Sequence, residues 1–275
     1  MDNPAPRIHW PDPIMELIGF IASFLAVGAV AFRLWVVARI LRAPGSSPDE
    51  KQVLENAARR AAVFGFLGAL VSAALFATRL PEMAERRHMA VAQLLTSVPQ
   101  TQLQAALVLC TFIGLALALG RVRFGWALAA VGVLAAPLSG ALFGQWTRLG
   151  LPIHKFGGGL WIGTLFMLVF AGILTVLGSA LPSERRGALV ARLVNAFSPL
   201  ALVSAGVLAT FGVIVSLQQL QPFSALWTTP YGITLIIKLL MVGVCCARHH
   251  GDPREPAEPE APRGRRARQR YHDAG

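Results

Sequence analysis

Charge is what this sequence has least of. Only 14% of its residues are Asp, Glu, Lys or Arg, against 55% hydrophobic ones, where a soluble domain carries about 25% charged residues. That shortage excludes an ordinary water-soluble globule. Cysteine is also scarce: Cys110 lies in an apolar stretch, and Cys245 and Cys246 are adjacent. A bridge between neighbours is strained and rare, so no disulfide framework is expected. No basic leader precedes the first apolar stretch, which is too long for a signal-peptide core and reads as a permanent span. No H-E-x-x-H, P-loop or hydrolase constellation occurs, so an enzyme is not expected. The spans are read as free of acidic residues, which leaves no carboxylate proton relay.

Apolar residues are abundant and come in seven blocks: Ile14–Val37, Ala61–Thr78, Leu103–Leu119, Trp126–Phe143, Gly157–Leu181, Ala196–Leu217 and Tyr231–Cys246. Crossing ~30 Å of hydrocarbon takes about 20 apolar residues in a helix. Backbone in lipid must satisfy its own polar groups, so each block should be helical. The expected fold is an all-α, polytopic membrane bundle of about seven helices. Three regions follow: 1–150 with four spans, 151–250 with three, and a disordered, basic tail over 251–275. The bilayer is the first partner.

The net charge of +11 has no nucleic-acid reading module beside it, so no nucleic-acid partner is expected. The basic residues mark topology instead. Arg39, Arg42, Lys51, Arg59 and Arg60 follow the first block, Arg121 and Arg123 the third, and Arg185, Arg186 and Arg192 the fifth. With the arginine-rich tail they fall on one side, which the positive-inside rule assigns to the cytoplasm. The N-terminus is then outside the cell membrane and the C-terminus inside. Arg33, near the inner end of its span, is expected to snorkel.

Small residues mark close helix contacts. Gly159 and Gly163 form one G-x-x-x-G pair, and Gly140 and Gly144 another. Pro137 should kink the fourth helix. The segment Pro81–Val98 carries Met89, Val91, Leu94 and Leu95 as an apolar face and reads as an amphipathic surface stretch.

Several residues are candidates for metal chemistry. His154, Gly158 and Trp161 are spaced to share one helix face. At the outer rim His154 is either a metal ligand or an interfacial His beside an aromatic-belt Trp. Met83, His88 and Met89, with His9, offer thioether and imidazole on the same side, and such donors suit copper. Met is equally a flexible apolar filler. At the inner mouth, Cys245 and Cys246 lie four residues before His249 and His250. They form either a soft-ligand pair or a chance helix end. Lys238, seven residues into the last block, is costly in lipid and should face the bundle interior. Every His is at an interface or in a tail, so no haem is expected.

The stretch 153–250 resembles the copper resistance protein D family (CopD, YebZ-like). Three motifs carry the resemblance: His154 with Trp161-Ile162-Gly163, Arg192 leading to Phe197-Ser198-Pro199, and Thr229-Pro230-Tyr231-Gly232 followed by Lys238. The family's sites fall on His154, Trp161, Tyr231 and Lys238. The chain departs from the pattern in ending on Cys245-Cys246-Ala247-Arg248-His249-His250 and in lacking an eighth span. The resemblance implies an inner-membrane, multi-pass, copper-handling protein that imports or transfers copper. Copper is its transported or transiently bound ion, and a periplasmic copper chaperone (CopC-like) is an implied partner. The alternative is a non-transporting scaffold for loading copper into a respiratory oxidase.

Overall fold

The computed structural model of the chain describes residues 11–219, 224–229, 232–234, 236–237 and 240–241. Among them the secondary structure is helical, with no strand. Six helices are long and apolar enough to cross a membrane: Pro13–Arg42, Pro48–Arg86, Pro99–Leu119, Arg123–Phe143, Trp146–Leu177 and Ser183–Gln218. They carry the first six apolar blocks and are numbered here as spans one to six. The chain is an all-α, multi-pass membrane protein. Most of the seventh block, Tyr231–Cys246, lies outside the described residues.

The chain separates into two compact units, Met1–Ser216 and Leu217–Gly275. In the second, the Thr229 hydroxyl accepts the Gly232 N–H at 3.1 Å. The Thr229 carbonyl accepts the Ile233 N–H at 3.1 Å. That is the hydrogen-bonding of a helix N-cap, so the Thr-Pro-Tyr-Gly motif opens the seventh block.

In the first unit, span one is the central helix. On one side it packs with spans two, five and six around Phe32, Val36, Leu54, Met167, Leu189 and Leu193, all fully buried or nearly so. On the other it packs with spans two, three and four around Val27, Ala62, Leu115, Trp126 and Ala129. Alanines recur between these larger side chains, as expected where lipid offers no hydrophobic drive and helices associate by close contact. The closest approach is between spans one and five. A Cβ on Gly28 would collide with the backbone of Gly163, and one on Gly163 with the carbonyl of Phe24. The pair Gly159/Gly163 is therefore an interhelical contact, with Gly159 seated on Val27.

Span two illustrates how local sequence sets length. The Ser47 hydroxyl accepts the Glu50 N–H at 3.3 Å, Pro48 occupies the first turn, and Asp49 and Glu50 complement the helix N-terminus. The 39 residues that follow extend ~58 Å, well beyond the apolar middle Ala61–Thr78. The helix ends on His88, which has φ 54°. Its N–H donates to Glu85 and that of Met89 to Ala84, the two bonds of a Schellman motif. A short helix, Val91–Ser97, follows and buries Leu94.

Three expectations are corrected. Gly140 and Gly144 do not form a packing pair. At Pro137 span four tightens into a 3-10 helix over Ala136–Phe143, which ends at Gly144 with φ 72°, so the two glycines belong to a terminating turn. Glu16 lies inside the first apolar block, so the spans are not free of acid. Arg33 does not simply snorkel: its guanidinium pairs with Glu55 at 3.2 Å, and its side chain is 16% exposed.

Candidate metal centre

Span five carries the sequence-predicted site at the end of the bundle opposite the arginine-rich turns. Its helix begins with Gly150 after the 3-10 turn Trp146–Arg148. Successive residues differ by about 100° around a helix, and so His154 and Lys155 take different neighbours. The half-buried His154 turns to span six, where Nδ1 lies 3.0 Å from the Leu208 carbonyl oxygen. A carbonyl only accepts, so Nδ1 carries the hydrogen. In the neutral ring, Nε2 then holds the free lone pair. Metal-binding imidazoles are commonly oriented by such a second bond to a backbone carbonyl. Gly212 makes room for the ring. A Cβ there would lie 3.1 Å from His154 Cε1 and 3.4 Å from Nδ1. The next residues extend the same seat, because Gly157 packs against Val207 and Leu208.

Lys155 turns the other way. It pairs with Glu16 at 3.4 Å and sits 4.3 Å from the centre of the Phe20 ring. It also lines a cavity of about 440 Å³ among spans one to five, together with Arg79, Gln104, Thr111 and Pro137. Among the described residues no His, Met or Cys lines that cavity. His154 is not part of its lining and faces span six instead. Pro137 contributes to the cavity wall, not to a metal shell.

The other candidates are seated elsewhere. Met83 is half-buried in the last turns of span two, and Met89 is half-buried just beyond it. His88 is exposed in the left-handed position that closes that helix. Among the described residues, no group of three or more His, Cys, Asp or Glu is placed to hold a metal ion. Trp161 is 41% exposed, whereas Gly158 is buried against Phe24. The expected common face of His154, Gly158 and Trp161 therefore does not form. Gly159–Gly163 is a π-helical turn, and its wider winding shifts the i, i+7 register. His9, Tyr231, Lys238, Cys245, Cys246, His249 and His250 lie outside the described residues.

Two contacts were not anticipated. Leu208 and Gly212 form the imidazole seat, and the glycine within an apolar span was its available signal. Arg192 donates to Glu50 at 3.1 Å and to the Ser46 hydroxyl at 2.7 Å, fastening span six to the turn before span two.

Residues 191–270 match the family model CopD, copper resistance protein D. Over that stretch the chain is similar to the copper resistance protein D family. The match begins later than residue 153 and runs beyond 250, so His154 and Trp161 lie outside it, while Leu208 and Gly212 lie within it. The imidazole thus rests on the copper resistance protein D segment. No curated protein and no solved structure matches the chain. The chain is thus a multi-pass membrane protein with a C-terminal stretch similar to copper resistance protein D.

Proposed function

We propose that this protein transfers copper inward across the cytoplasmic membrane, without enzymatic chemistry, and that His154 is the outer entry ligand. The observation that supports this reading is the seat of His154 on Leu208 and Gly212, inside the segment that matches copper resistance protein D. One ring nitrogen is committed to the helix and the other is left for a metal. The arginine-rich end, with Arg59, Arg121 and Arg192, lies in the cytoplasm by the positive-inside rule. A CopC-like periplasmic chaperone delivers the ion to the opposite end.

The test is isotopic copper uptake into vesicles reconstituted with the purified protein. His154→Gln keeps an N–H for Leu208 but offers copper only an amide oxygen. Uptake should fall at least about tenfold, the loss of roughly 1.4 kcal/mol of ligand interaction. Wild-type rates in the variant would eliminate this route. The second reading is a scaffold that helps load copper into a respiratory oxidase. It is favoured by the absence, among the described residues, of a group of three or more His, Cys, Asp or Glu placed to hold a metal ion. Co-purification of an oxidase subunit without metal flux would select it.

A further inference from the structure

Between span one, span two and the turn joining spans three and four lies a pocket of about 260 Å³. Its lining includes Arg33, Arg59, Arg121 and Arg123, and among the described residues its only acidic member is Glu55. We propose that this pocket binds a phosphate group, carried by an anionic lipid headgroup or by a free phosphate.

Charge is the first support. Glu55 is already engaged by Arg33, and Arg59, Arg121 and Arg123 form no ion pair among the described residues. The other polar lining groups, Gln52 and Asn56, bond to each other at 3.4 Å. Three guanidinium charges therefore line one small space with no counter-ion among the described residues. The second support is an unmet donor. Arg33 Nε is buried and has no hydrogen-bond partner. A buried donor left unpaired costs about 1–3 kcal/mol, which a bound anion would offset. The third is backbone strain. Arg121 is held at φ 66° by a Schellman turn, with its N–H on Ala118 and that of Val122 on Leu117. Glycine is the ordinary residue there, and an arginine kept in a left-handed conformation marks a functional constraint.

The ligand class follows from geometry and place. Guanidinium forks match phosphate oxygens bidentately. The pocket lies where spans end, at the level of lipid headgroups. Basic pockets between membrane helices on the cytoplasmic side take such headgroups. Solvated charges that only set topology are the competing explanation. They predict no difference between arginines inside and outside the pocket, which makes the two separable.

The experiment uses the full chain in nanodiscs of equal phosphatidylglycerol and phosphatidylcholine, with retained lipid counted by native mass spectrometry. A parallel arm adds inorganic phosphate. The wild type should retain phosphatidylglycerol preferentially. Arg121→Gln with Arg123→Gln should weaken that preference about tenfold or more. Arg121→Gly removes charge while relieving the left-handed strain, so it should melt no lower than wild type yet also weaken retention. Arg39→Gln with Arg42→Gln, two exposed arginines at the same end but outside the pocket, should leave the preference intact. Displacement of the lipid by millimolar inorganic phosphate identifies free phosphate as the ligand, and resistance to it identifies the headgroup. Retention unchanged in the pocket variants, or lost equally in the Arg39/Arg42 pair, overturns the proposal.

Discussion

Replacing Gly163 by alanine should loosen the contact between spans one and five, and its size can be worked from the structure. An added Cβ would run into the Phe24 carbonyl oxygen and lie 3.0 Å from its carbon and 3.2 Å from Gly28 Cα. Carbon atoms pack at about 3.5–4.0 Å. The obstructing atoms are backbone of a packed helix and cannot rotate aside, so the two helices must separate. Overpacking of this kind costs about 1–3 kcal/mol, while alanine returns roughly 0.5–1 kcal/mol of helix preference. A backbone collision puts the cost in the upper half of its range, so a net loss of about 1–2.5 kcal/mol remains, or a melting temperature lowered by roughly 2–10 °C. Two companion variants fix the interpretation. The atoms nearest a Cβ on Gly159 are Val27 Cβ, Cγ1 and Cγ2, at 3.1–3.3 Å, so Gly159→Ala should cost clearly less than Gly163→Ala. Nothing lies within 4 Å of the Cβ position on Gly187, so Gly187→Ala should be neutral or stabilising. Thermal unfolding of all three in one detergent gives the order. A Gly163→Ala protein that melts with the wild type would refute the close crossing.

Purified His154→Gln should contain less copper than the wild type, read by metal analysis; equal stoichiometry removes His154 from the copper shell. His88→Gly should stabilise the protein by about 1 kcal/mol, because it removes a side chain from a left-handed position, and a lowered melting temperature would contradict the cap assignment. Arg192→Ala should cost about 1.5–3 kcal/mol, the usual worth of a charged hydrogen bond, and Arg192→Lys should recover little of it because an ammonium cannot reproduce the fork to Glu50 and Ser46. Unfolding in detergent measures both, and full rescue by lysine would show that charge alone matters there.

Much of the bundle was legible because lipid imposes a simple rule. A run of apolar residues such as Leu103–Leu119 has to be a helix once it is in hydrocarbon, whatever its neighbours are. Helix ends were less legible. Span two extends far past Ala61–Thr78 because Ser47, Pro48 and Glu50 start it early and the turn at His88 stops it late. Hydropathy does not register hydrogen bonds at a cap. Within the candidate site, the position of His154 near the start of span five was visible, but its face was not. A fixed i, i+7 spacing assumes uniform winding, and the π-helical turn at Gly159–Gly163 breaks that assumption. The G-x-x-x-G pair in span four failed for a related reason, since Pro137 had already changed the helix type.

The sequence alone determined that this chain is helical and membrane-spanning, because those properties follow from residue-by-residue transfer between water and lipid. Tertiary structure decided which side chains meet: His154 with the Leu208 carbonyl, Lys155 with Glu16, Gly163 with Gly28, and four arginines around one pocket. Contacts between distant residues depend on how far each helix turns and how closely its backbone can approach the next, and neither is encoded in hydropathy.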